Sequence, residues 1–117
     1  MINKKYYVGF EGEPELALIN KENKLIMWNG YFETILDVLI EINLEKKGII
    51  KEYFNHEGWY DESPWIIENI PLTIEQLKHF DLNKVQQSDS IRKVVPGLVQ
   101  EIIIFLENAE NVMIEYD

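Results

Sequence analysis

The first thirty residues alternate between short apolar runs and polar breaks, a spacing that suits strands and turns. Lys5-Tyr6-Tyr7-Val8-Gly9-Phe10 is aromatic and β-branched and predicts a strand, closed by the turn Glu11-Gly12-Glu13-Pro14. Glu15 to Asn20 and Lys24 to Trp28 predict two more strands, joined through Asn20-Lys21-Glu22-Asn23 as an antiparallel hairpin. These strands are apolar on both faces more than they alternate, which predicts that part of the sheet is covered on both sides.

Past Asn29-Gly30 the period changes. Phe32, Ile35, Leu36, Leu39 and Ile42, with Ile40, recur at three- and four-residue steps and predict a core-facing helix from about Tyr31 to Lys47, with Gly48 as its stop. Residues 49–70 are the least regular: Ile49 to Phe54 fits a strand, Asn55-His56-Glu57-Gly58 a turn, and Pro71 closes the run that starts at Trp59. Thr73 with Gln76 three residues later reads as a capping box opening a short helix to about Phe80. From Ser90, the residues Ile91, Val94, Val95, Leu98, Ile102, Leu106 and Ala109 keep one helical face across Pro96-Gly97, so one kinked helix or two in line is expected. Asn111 to Tyr116 reads as a final strand added to the N-terminal sheet. The order predicts a single acidic α+β domain over residues 1–117. Its small antiparallel sheet would hold three N-terminal strands and a C-terminal one, with helices packed on one face.

At 117 residues such a domain can bury enough surface to fold without a disulfide or a structural metal, and it has no cysteine to form either a disulfide or a thiolate site. No apolar h-region follows Lys4 and Lys5, and no apolar run reaches the roughly 18–20 residues that span a bilayer. A cytoplasmic protein is expected. The net charge of -10, from 21 acidic and 11 basic residues, repels phosphate backbones and anionic membranes and attracts cationic surfaces. Direct nucleic-acid binding and membrane binding are therefore expected to be absent.

Candidate chemistry is thin. His56 and His79 belong to no metal spacing, and there is no phosphate-binding glycine loop, no GxSxG and no cysteine nucleophile. Ser63, Ser88 and Ser90 stand where turns and helix caps use serine. A non-enzyme without cofactor or metal is the expectation.

Two features suggest binding instead. Glu33, Asp37, Glu41 and Glu45 are spaced by four and share one helix face, about 6 Å apart along the axis. Such a row is what an ordinary solvated face looks like; it is also a row of carboxylates suited to a cationic groove. The second is the segment from Tyr53 to Trp65, with five aromatics and three carboxylates around Gly58 and Pro64 and no basic residue. There Trp59, Tyr60 and Trp65 would act as anchors and Glu57, Asp61 and Glu62 as a charged rim, unless the aromatics are core and the acids merely face water.

In size, acidity, lack of a catalytic motif and α+β layout, the chain resembles the immunity proteins of bacterial contact-dependent growth inhibition and related polymorphic toxin systems. Trp28-Asn29-Gly30-Tyr31-Phe32-Glu33, leading into an acidic helix, is similar to barstar-like ribonuclease inhibitors, although the rest of the chain departs from their order of elements. The resemblance implies that the chain neutralises a toxin domain encoded by the adjacent gene, a basic nuclease blocked at its active site or a neighbouring exosite. Two other classes fit the same residues: a phage-type nucleic-acid mimic that inhibits a host nuclease, and a small-molecule-binding domain with its pocket under the aromatic segment.

Overall fold

The computed structural model describes residues 1–42, 47–55 and 64–117, Asn55 by its backbone alone. Its elements are β1 (Ile2–Tyr6), β2 (Glu15–Asn20), β3 (Asn23–Trp28), α1 (Asn29–Glu41), α2 (Gly48–Asn55), β4 (Trp65–Ile66), α3 (Ile70–Leu77), α4 (Asp89–Glu107) and β5 (Met113–Tyr116). A short 3-10 helix, Leu82–Lys84, lies between α3 and α4. The fold is α+β, with the five strands in the order β1-β3-β2-β5-β4. All neighbouring strands are antiparallel except β1, which runs parallel to β3.

The expected antiparallel hairpin β2–β3 forms, with Leu16 opposite Met27 and Leu18 opposite Leu25. These four side chains point to one face and join Ile114 and Trp65 in the core. Phe32, Ile35, Leu36 and Leu39 of α1, Ile49 and Ile50 of α2, Leu77 of α3, and Val95, Leu98, Ile102 and Leu106 of α4 pack onto them. Each such side chain stabilises the fold by roughly 1.5–3 kcal/mol relative to exposure. The helices thus share one face of the sheet. On the opposite face Ala17 is buried, whereas Ile19, Ile26 and Met113 are half-buried and belong neither to the core nor to the side chains packed against it.

Four boundaries differ from the sequence reading. The first strand is Ile2–Tyr6, not 5–10, because Tyr7 to Gly12 turn back on themselves, with Gly9 and Gly12 both at φ 94°. α1 begins at Asn29 and ends at Glu41. The stretch read as a strand at 49–54 is helical, since Ile49, Ile50 and Tyr53 fall on one face at helical spacing, where a strand would send Ile49 and Ile50 to opposite sides. α3 opens before Thr73: the Asn69 Oδ1 accepts the Leu72 N–H at 3.0 Å, and Pro71 sits in the first turn, where its missing donor costs nothing. The Thr73 hydroxyl instead donates back to the Asn69 carbonyl at 2.9 Å. α4 passes through Pro96 as one helix, as its unbroken apolar register implies. β5 joins the sheet beside β2 and also holds β4.

Candidate functional site

α1 is the central helix of the layer. Tyr31, Phe32, Thr34, Ile35, Leu36, Val38 and Leu39 are all buried, so the helix meets water along little more than Glu33, Asp37 and Glu41. Asn29 starts this strip: its side chain is buried, and its Nδ2 donates to Glu33 Oε1 at 2.9 Å. The remaining Asn29 oxygen, Oδ1, is buried without a partner. The Asn29 bond draws Glu33 toward the helix start, and the Thr34 hydroxyl donates to the Gly30 carbonyl at 2.8 Å.

The three carboxylates are fixed on a rigid element, and none forms an ion pair with a described residue. Burial, and then the neighbouring charge of Glu33, push the Asp37 carboxyl above the ordinary aspartate range. A shallow groove of about 180 Å³ runs beside the strip, with Thr34, Asp37 and Glu41 on one wall and Lys84, Gln86 and Gln87 on the other. An electronegative ridge with an adjoining groove can accept hydrogen bonds from ammonium or guanidinium groups.

Of the residues singled out from the sequence, the structure brings Glu33, Asp37 and Glu41 together as expected. Glu45, Glu57, Trp59, Tyr60, Asp61 and Glu62 lie outside the described residues. Trp65, expected as an exposed anchor, is a correction: it is 7% exposed and stands in β4 on the core face, opposite Ile114. The buried alternative holds for it: neighbouring strand residues point to opposite faces, and of the two residues of β4 Trp65 takes the core face and Ile66 the outer one.

Sequence reasoning missed Glu52. It is 8% exposed on α2; one oxygen accepts the Glu68 N–H at 3.1 Å and the other is buried without a partner. Burial raises its carboxyl above the ordinary glutamate range; the Glu68 N–H opposes it, and the charges of Glu68, raising, and Lys51, lowering, count for less. Read as a helix, 48–55 would have placed Glu52 beside Ile49 on the inward side, which a strand reading concealed.

A cavity of about 450 Å³ lies elsewhere, between α3 and α4, lined by Leu77, Lys78, Phe80, Val99, Ile103 and Glu107. Among the described residues no group of three or more His, Asp or Glu could hold a metal ion. No described helix is long and apolar enough to cross a membrane. No family model, no curated protein and no solved structure matches the chain.

Proposed function

We propose that this protein is an immunity-type inhibitor that binds a basic toxin domain, a nuclease, and blocks its substrate surface with the exposed strip of α1. One observation carries this reading. A helix buried on every other side presents Glu33, Asp37 and Glu41 to solvent with no cation of the described protein paired to them. A strip with no counterion among the described residues gains from an external one, and its fixed backbone removes part of the ordering cost of binding.

The test is a triple charge reversal, Glu33→Lys with Asp37→Lys and Glu41→Lys, co-expressed with the product of the adjacent gene. At about 1 kcal/mol for each exposed pair, reversing three charges weakens binding by about 100-fold or more. The association rate of the unaltered protein should also fall as salt rises. Circular dichroism establishes that the variant is folded. Undiminished inhibition by a folded triple variant overturns the assignment of the site to α1.

A further inference from the structure

The face of the sheet that the helices leave uncovered carries one continuous row. Through the strand registers, Ile2 of β1 stands opposite Lys24 of β3, Lys24 opposite Ile19 of β2, Ile19 opposite Met113 of β5, and Met113 opposite Ile66 of β4. Directly paired residues point to the same face, so these five side chains form a line across all five strands. The next row holds Ile26, Ala17 and Glu115. Ile2 and Ile66, at the two ends of the first row, are each 59% exposed, Ile19 and Met113 between them are half-buried outside the core cluster, and Ala17 in the second row is buried. Four apolar side chains in one row, broken only by Lys24, form the kind of patch that marks a contact surface.

We propose that this face is the contact between two copies of the chain, related by a twofold axis that runs along β2. β2 is the middle strand of five, so that axis maps the row onto itself. Ile19 meets Ile19 of the second copy on the axis. Ile2 lies over Ile66 of the second copy, which joins the two most exposed apolar ends. Lys24 lies over Met113, one step along the strand from Glu115 of the second copy, so its ammonium can reach that carboxylate. By symmetry the ion pair forms twice. A twofold axis across the strands instead of along them would put β3 over β3 and leave Lys24 without an acid, which is why the lengthwise axis is chosen.

The strands are unequal, six residues in β2 and β3 but two in β4, and at about 3.3 Å by 4.8 Å per residue they give a footprint on the order of 360 Å² per copy. Counted over both copies, that is the size of weak, transient contacts, so a reversible dimer with a dissociation constant of micromolar or weaker is expected. The acidic strip of α1 lies in the helical layer on the other side of the sheet, about 10 Å or more away and beyond a Debye length at physiological salt. Its charges therefore oppose dimerisation only weakly, and both strips stay open in the dimer.

Sedimentation equilibrium of the full chain alone decides the matter, with no toxin needed, so its result is separate from the fate of the inhibitor reading. The expected mass rises from 13.9 kDa toward twice that value between about 1 and 200 μM. Lys24→Glu should shift the midpoint at least tenfold to higher concentration, and adding Glu115→Lys should restore it. The chain has no cysteine, so Ile2→Cys with Ile66→Cys places two thiols four strand spacings, about 19 Å, apart within one copy but in contact between copies. Oxidation should give a covalent dimer from the double variant and none from Ile2→Cys alone. A constant monomer mass overturns the proposal. So does cross-linking of the single variant as efficient as that of the double one.

Discussion

Gln76 joins two helices through a side chain that is 6% exposed. Its Nε2 donates to the Lys47 carbonyl at 2.7 Å, and its Oε1 accepts the Ile49 N–H at 3.1 Å. That N–H lies in the first turn of α2 and has no acceptor within its own helix. Gly48 stands between the two bonds at φ 55°, and a Cβ there would come within 2.6 Å of Gln76 Oε1, so the side chain is seated directly on the backbone. Gln76→Leu keeps the volume and removes both bonds. The Ile49 amide, on a residue 1% exposed, then loses its acceptor among the described residues, whereas water can reach the Lys47 carbonyl on an exposed residue. One buried donor left unsatisfied costs about 1–3 kcal/mol, which is a large part of a typical folding free energy and lowers Tm by about 4–12 °C in a domain of this size. Urea unfolding gives the free energy, and hydrogen exchange at the Ile49 amide locates it. Gln100→Leu, on the exposed side of α4, serves as the reference. A Gln76→Leu variant within about 0.5 kcal/mol of the parent, with unchanged protection at Ile49, would refute the clamp.

Two further outcomes follow from buried groups. The Glu52 carboxyl titrates above its ordinary value of 4.5, so the folded state holds the proton more tightly than the unfolded one, and stability falls as pH rises through the elevated folded value. Glu52→Gln should therefore be more stable than the parent at pH 7, with the advantage shrinking toward the ordinary glutamate range; urea midpoints that differ by a constant amount at every pH would contradict this. At Gly30, an added Cβ would lie 2.4 Å from the Trp28 ring, which is held in a stack with Phe10 at a centroid distance of 4.5 Å. Gly30→Ala in a helix ordinarily gains up to about 1 kcal/mol, but here the clash should reverse the sign and cost about 1–3 kcal/mol, with a changed near-ultraviolet signal from the tryptophan. A stabilised variant would show that the ring yields.

The elements that were legible in the sequence are those whose period runs long enough to be unambiguous. β2, β3 and β5 read correctly from their apolar runs and breaks. α4 read correctly through Pro96 because Val95, Leu98, Ile102 and Leu106 hold their phase on both sides of it. The failures are local. Tyr6-Tyr7-Val8 has strand composition, but only Tyr6 is in the strand, and the Tyr7 N–H bonds back to the Lys4 carbonyl as the chain turns. In Ile49 to Phe54 the run is too short for composition to separate a strand from a helix. The α1 strip was legible because a spacing of four needs only a helix to become a line. The uncovered sheet face was not, since apolar residues on both sides of a strand look the same whether the second side meets helices or another chain.

The parallel pairing of β1 with β3 sets an order of events. The hairpin β2–β3 closes through the two residues Lys21 and Glu22, whereas β1 can dock only against a β3 that already exists, and the segment 7–14 must then cross the end of β3 to reach β2. β5 pairs with β2 across almost the whole chain, Leu16 opposite Tyr116, and β4 has β5 as its only partner in the sheet. The hairpin is thus the one fast step in a sheet whose remaining seams close late, at the rate set by long loops. During synthesis the exposed flank of β2 waits as an unpaired edge until residues 113–116 arrive, and for that interval the nascent hairpin is the part of the molecule most open to pairing with the wrong strand.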